Sequence, residues 1–168
     1  IRSGNYEKAI EFALKTIGIC QKAELGEILV DAYHNLGVAY FYSNKTEEAE
    51  ATARKASNVA DSLNLVPHKL KSLNALSVFQ SAIGKPEVAI KTLLEVLKAY
   101  EPLEDKKGIE NVYINKGALH FEQADYQLAE ENYREALYYA TKFDNTRRIA
   151  NSNNNLGNVQ MKYEAYDS

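Results

Sequence analysis

His34, His68 and His120 are the side chains of this chain best suited to metal or proton chemistry. They stand 34 and 52 residues apart, with neither a His-x-x-x-His nor a Cys-x-x-Cys pattern to bring two ligands onto one helix face. Cys20 is the sole cysteine, which leaves no internal disulfide and no thiolate pair for a metal, so its expected role is apolar filling. Gly84-Lys85-Pro86 lacks both the upstream glycine spacing and the following Ser or Thr of a phosphate loop, and reads as a turn. Asn44-Lys45-Thr46 matches a glycosylation triplet that chance supplies often. The expectation is of no catalytic residue, no metal and no cofactor.

Carboxamides and cations are the more informative chemistry. Asn35, Asn74, Asn111, Asn115, Asn151, Asn154, Asn155 and Asn158 recur inside stretches of helical spacing. Asn is a mediocre helix former, so its recurrence there needs a reason. A carboxamide both donates and accepts, and pairs with a peptide backbone whatever side chains that backbone carries. The plain alternatives are bridging between neighbouring helices and a locally Asn-rich composition, as in Asn151-Ser152-Asn153-Asn154-Asn155. A basic series runs in parallel: Lys69 and Lys71, Lys106 and Lys107, Arg147 and Arg148. Each pair falls at an expected helix start, where the helix dipole mildly disfavours positive charge. Glu24 and Glu27 hold the corresponding place at the first such start. Pairing with Glu104, Asp105 or Asp144 is the simple account of these cations, and steering of an acidic partner is the functional one.

These side chains are positioned by an internal repeat. Asn35-Leu36-Gly37 returns as Asn155-Leu156-Gly157 after 120 positions, and Ala9 recurs as Ala49, Ala89 and Ala129 at 40-residue steps. A fixed period implies stacked supersecondary units rather than one central core. Within a period the apolar spacing is helical. Tyr33, Leu36, Gly37 and Tyr40 form one stripe, and Ala49, Ala53, Ala56, Ala60 and Leu63 form another, matched by Ala89, Leu93, Val96, Tyr100 and Leu103. Turn-rich segments separate the stripes, Pro86 suits a first helical turn, and Asn44 with Glu47 has capping-box spacing. The expected helices are 5–21, 24–43, 46–63, 67–83, 86–101, 106–123, 126–143 and 146–163.

Leu36-Gly37-Val38-Ala39-Tyr40, followed by Glu48-Ala49 and Ala53-Arg54-Lys55-Ala56, resembles a tetratricopeptide repeat more than the HEAT and armadillo repeats of similar period. The resemblance extends over the whole chain and is strong again at Gly117, Ala129, Tyr133 and Ala136. It is partial where Ser77 and Gln80 replace Gly and Tyr, and where Lys116 enters the Leu column. It implies an all-α fold, a right-handed α-solenoid of stacked antiparallel helix pairs with about eight helices. It implies one array over 1–168, with units at about 1–23, 24–63, 64–103, 104–143 and 144–168. The 40-residue period is similar to that of repeats in bacterial regulatory proteins and sensor histidine kinases, and Asp105-Lys106-Lys107-Gly108-Ile109 looks like their connector.

The resemblance also implies that the first helix of each pair lines a concave groove. The exposed columns are then Asp31, Lys71, Asn111, Asn151; His34, Asn74, Ile114, Asn154; and Asn35, Ala75, Asn115, Asn155. Asn158 lies one turn on with Val38, Val78 and Ala118, and Phe41, Ser81, Phe121 and Met161 follow, the apolar ones adding contact beside the asparagine ladder. The expected function is non-catalytic binding of an extended, acidic protein or peptide segment in that groove, within a larger signalling chain. The alternative is a structural module that self-associates or couples to other domains. A formal charge of −3 argues against nucleic acid as the partner. The chain begins and ends within a repeat without polar caps, so the reading is of a soluble, excised piece with no membrane contact, cytoplasmic or periplasmic.

Overall fold

The computed structural model describes residues 3–142 and 145–166. They form eight α-helices: α1 (Ser3–Lys22), α2 (Gly26–Tyr42), α3 (Thr46–Ser62), α4 (Val66–Ala82), α5 (Pro86–Tyr100), α6 (Lys106–Glu122), α7 (Tyr126–Lys142) and α8 (Thr146–Tyr166). A 3-10 turn, Glu101–Leu103, follows α5. The described residues contain no strand and no helix long and apolar enough to cross a membrane.

The turns obey a 20-residue rule. Glu24, Asn44, Asn64, Gly84, Glu104 and Ala124 all have positive φ, between 51° and 77°, so one left-handed residue lies in each turn from α1 to α7, just after the helix except beyond α5, where it follows the 3-10 turn. Five of these ends close with the same bond, an amide reaching back five residues: Leu25 to Cys20, Lys45 to Tyr40, Leu65 to Ala60, Lys85 to Gln80 and Asp125 to His120, at 2.8–3.0 Å. After α5, Pro102 cannot donate and the 3-10 turn intervenes. Asn44 therefore ends α2 rather than beginning α3. The residue preceding α3 is Lys45, with no side-chain cap, which corrects the capping-box expectation. Asn tolerates the left-handed region, and that use wins here. Glu24, expected within α2, is likewise a turn residue, and Pro86 opens α5 as expected.

The chain divides into two compact units, Ile1–Thr92 and Leu93–Ser168. In the first, α3 packs on both α2 and α4. Its small face, Ala49, Ala53, Ala56 and Ala60, is fully enclosed and lets the neighbours approach closely. Leu76 and Phe79 pack on Ala49 and Ala53, and Val30 packs on Ala56 and Ala60. Ala13 and Ile17 of α1 meet Ala32 and Leu36. Each large aliphatic or aromatic side chain so enclosed contributes roughly 1.5–3 kcal/mol. The departures in α4 are satisfied locally: Ser77 donates to the Asn74 carbonyl at 2.7 Å, and buried Gln80 accepts from Thr92 at 2.9 Å. Leu63 and Leu103, expected at the ends of stripes, are exposed beside the turns. Cys20 is a buried free thiol, as expected.

In the second unit α7 packs on α6 and α8, with Ala129, Tyr133 and Val159 enclosed together. Gly117 accepts the Tyr133 ring: a Cβ there would lie 2.6 Å from two ring carbons. Asp105 caps α6 by accepting from the Gly108 amide at 3.0 Å, so the Asp105–Ile109 segment is a helix start rather than a free connector.

Candidate functional site

In the first unit, several of the residues expected to line a groove are engaged by neighbouring side chains. Lys71 on α4 pairs with Asp31 on α2 at 3.1 Å, across one repeat step of 40 residues. His34 is within the electrostatic reach of both members of this pair. Burial first, then the positive charge of Lys71, push its pKa down to about 4, with Asp31 pulling the other way, so the imidazole is neutral. Lys69 is held by Asp61 at 2.6 Å, and His68 stands 3.4 Å from Glu27. Asn74 is half-buried, while Asn35 is exposed and borders a shallow pocket of about 270 Å³ with Phe12, Ile28 and Asp31. Phe41 is half-buried and packs at a tilt against Phe79 with ring centres 5.1 Å apart, which makes it part of the α3–α4 core.

The second unit brings members of both expected series together in one place, Asn111 and Asn151 with Lys107, Arg147 and Arg148. A cleft of about 590 Å³ is lined from α6 by Lys107, Glu110, Asn111 and Ile114, and from the start of α8 by Arg147, Arg148 and Asn151, with Asn145 at its edge. Arg148 Nη1 donates to Glu110 Oε2 at 2.7 Å and to Asn111 Oδ1 at 3.1 Å. Asn145 accepts from the Arg148 amide at 3.2 Å and so caps α8. Lys107 and Arg147 are exposed and form no ion pair with a described residue. Neither Glu104 nor Asp105 forms an ion pair with these cations; Asp144, the third partner expected, lies outside the described residues.

The remaining positions do not line the cleft. Lys106 is exposed at the first residue of α6; Asn115 is half-buried. On α8, Asn154 is exposed and Asn155 and Asn158 are half-buried. Phe121 packs edge-on against Tyr126 at 5.4 Å in the α7–α8 core, and Met161 is exposed. Lys116, in the Leu column, is half-buried over the Tyr113 ring at 5.3 Å, and burial pushes its pKa down.

Glu110 is the residue sequence reasoning missed. Its column reads Val30, Leu70, Glu110 and Ala150; the first three are buried and Ala150 is exposed. A carboxylate in an otherwise apolar column is a signal available from the repeat alignment alone. Asn145 was likewise legible as the N-cap one position before α8.

Sequence profiles described as tetratricopeptide repeat match residues 1–62 and residues 110–143, together more than half of the chain. Among solved structures the chain is similar to BtubC (BKLC) from P. vanneervenii, with TM-score 0.79 and 19% identity over 98% of this chain and 68% of that one. It is similar to a Rap protein crystallised in complex with competence and sporulation factor, with TM-score 0.72 and 16% identity over 95% of this chain and 50% of that one. The apo form of RapI gives TM-score 0.77 and 15% identity over 98% and 46%. At these identities the likeness is one of fold, and the chain spans about half the length of the two Rap proteins. No curated protein sequence matches.

Proposed function

The chain belongs to the tetratricopeptide repeat family, and from that premise we propose that it is a non-catalytic binding module for an extended, acidic segment of a partner protein, working within a larger regulatory chain. The observation that carries this reading is the α6–α8 cleft. Two carboxamides of the expected groove series, Asn111 and Asn151, share it with Lys107, Arg147 and Arg148. Carboxamides suit a peptide backbone and cations suit acidic side chains, so the combination favours an extended acidic chain over an apolar small molecule. The Rap structure that contains competence and sporulation factor supports the reading by analogy of fold.

The exposed carboxamides allow a test with little risk to folding. Asn35, Asn151 and Asn154 changed together to Ala remove three exposed groups. Affinity capture from the source lysate should yield a partner with the wild-type chain and lose it with the triple variant, while thermal melts stay within a few degrees. Equal capture by both proteins would remove the groove reading.

A further inference from the structure

The cleft of the second unit contains a feature that the repeat does not need. Glu110 is fully buried where the sister columns carry Val30 and Leu70, so folding of a repeat does not require a carboxylate there. Glu110 Oε1 meets no hydrogen-bond donor among the described residues. A buried ion pair is often no more stable than an apolar pair of similar volume, and one with an unsatisfied oxygen is less favourable still. What the pair achieves is geometric. Glu110 Oε2 and Asn111 Oδ1 both take Arg148 Nη1, which fixes the guanidinium in the wall of the cleft. The Nη2 and Nε donors of Arg148 make no hydrogen bond to a described residue, and these two form the fork that matches a carboxylate.

The electrostatics point the same way. Three cations against one carboxylate line the cleft, and all three sit in the first turn of α6 or α8, where the helix dipole already carries positive charge. An incoming anion relieves that repulsion.

We propose that this cleft is a carboxylate-reading subsite: Arg148, held in place by Glu110 and Asn111, pairs with the side chain of an Asp or Glu inside the bound segment, and Lys107 and Arg147 supply the attracting field. Glu110 is then a positioning residue rather than a contact, and the subsite gives the groove its preference for acidic segments. It rests on the peptide-binding reading above and adds where the segment is read and by which group.

The whole chain, ¹⁵N-labelled, is titrated with three probes while the Arg Nε–H signals are followed: an N-acetylated, C-amidated hexapeptide with one central Glu, its Gln counterpart, and sodium acetate. The Glu peptide should shift the Arg148 signal in a saturable way, with the Gln peptide and acetate at the same concentration giving much smaller changes. Arg148→Lys keeps the charge beside Glu110 but loses the fork, and should weaken the Glu peptide about tenfold with an unchanged melt. Glu110→Gln should weaken it less while broadening the Arg148 signal, an effect that a purely structural Glu110 would not produce. Equal shifts from the Glu and Gln peptides, an acetate response matching the peptide, or full affinity in Arg148→Lys would each overturn the subsite. If Arg148→Lys retains the lysate partner that the asparagine triple loses, the subsite falls and the groove stands.

Discussion

The two compact units face the same electrostatic problem, cations at the starts of first helices, and resolve it differently. In the first unit Lys71 meets Asp31 and Lys69 meets Asp61, all at the surface, and the column beneath is apolar at Val30 and Leu70. In the second, the partner of Arg148 is the enclosed Glu110, and Lys107 and Arg147 pair with no described residue. Surface pairs of the first kind are cheap and interchangeable. A buried carboxylate that orients one guanidinium while its neighbours stay unneutralised is a poor device for stability and a good one for recognition. Repeats are therefore compared column by column: Glu110 departs in chemistry from Val30 and Leu70 while keeping their burial, and that departure is what the proposed subsite rests on.

The largest effect expected from this contrast is on stability. Arg148→Met leaves Glu110 buried without its partner and should destabilise the chain by about 3–5 kcal/mol in urea unfolding. Lys71→Met, at the corresponding exposed pair, should change stability by less than about 1 kcal/mol. Adding Glu110→Leu to Arg148→Met restores the apolar column and should recover most of the loss. If the double variant is as unstable as the single one, the pair is a structural element and the distinction between the units disappears.

Glycines sharpen the comparison at a smaller scale. Gly37 and Gly117 share a column, yet a Cβ on Gly37 would stand 3.4 Å from Phe79 and 3.5 Å from the Ala49 carbonyl, whereas one on Gly117 would enter the Tyr133 ring at 2.6 Å. Gly37→Ala should therefore be neutral or stabilising by up to about 1 kcal/mol from helix propensity. Gly117→Ala should cost about 1–3 kcal/mol as Tyr133 is displaced from its enclosed site. Opposite signs in paired thermal melts would show that the second unit closes on a bulkier residue; matching signs would contradict it.

Most of the architecture was legible because two periodicities agree. The apolar stripe gives helices at 3.6 residues per turn, and the 40-residue repeat locates the turns; the eight helices begin and end within about three residues of the expected ranges. The errors fall where one residue has two uses. Asn44 serves equally as an N-cap or a left-handed helix end, and only the fold selects the second. The candidate site was legible as a set of columns. Phe41 and Phe121 occupy such columns and are nonetheless drawn into the cores beside Phe79 and Tyr126, because periodicity places a residue on a helix face without fixing which neighbour a large ring at the border of that face will meet. Glu110 was overlooked for a different reason. Charge in a core column reads as a lapse in the pattern until its partner, 38 residues away, is in view.

The smallest expected effect concerns protons. His34 is neutral in the folded chain because burial and Lys71 hold its pKa near 4, against an ordinary value of 6.5. The unfolded chain therefore takes up a proton first, and stability should fall as pH drops from about 6.5 to about 4, then lose nothing more from this group below that range. His34→Gln should flatten this part of the stability profile. Lys71→Met removes a repelling charge and frees Asp31 to attract the imidazolium, so both changes move the His34 midpoint upward in an imidazole NMR titration. In the second unit His120 is also pushed down, chiefly by burial, but Asp125 and Glu131 oppose Lys116 around it. Its midpoint should not respond to Lys71→Met. A His34 midpoint that stays in place when Lys71 is removed would mean that burial alone neutralises the imidazole, and the Lys71–Asp31 pair would then be a surface contact with no influence on it.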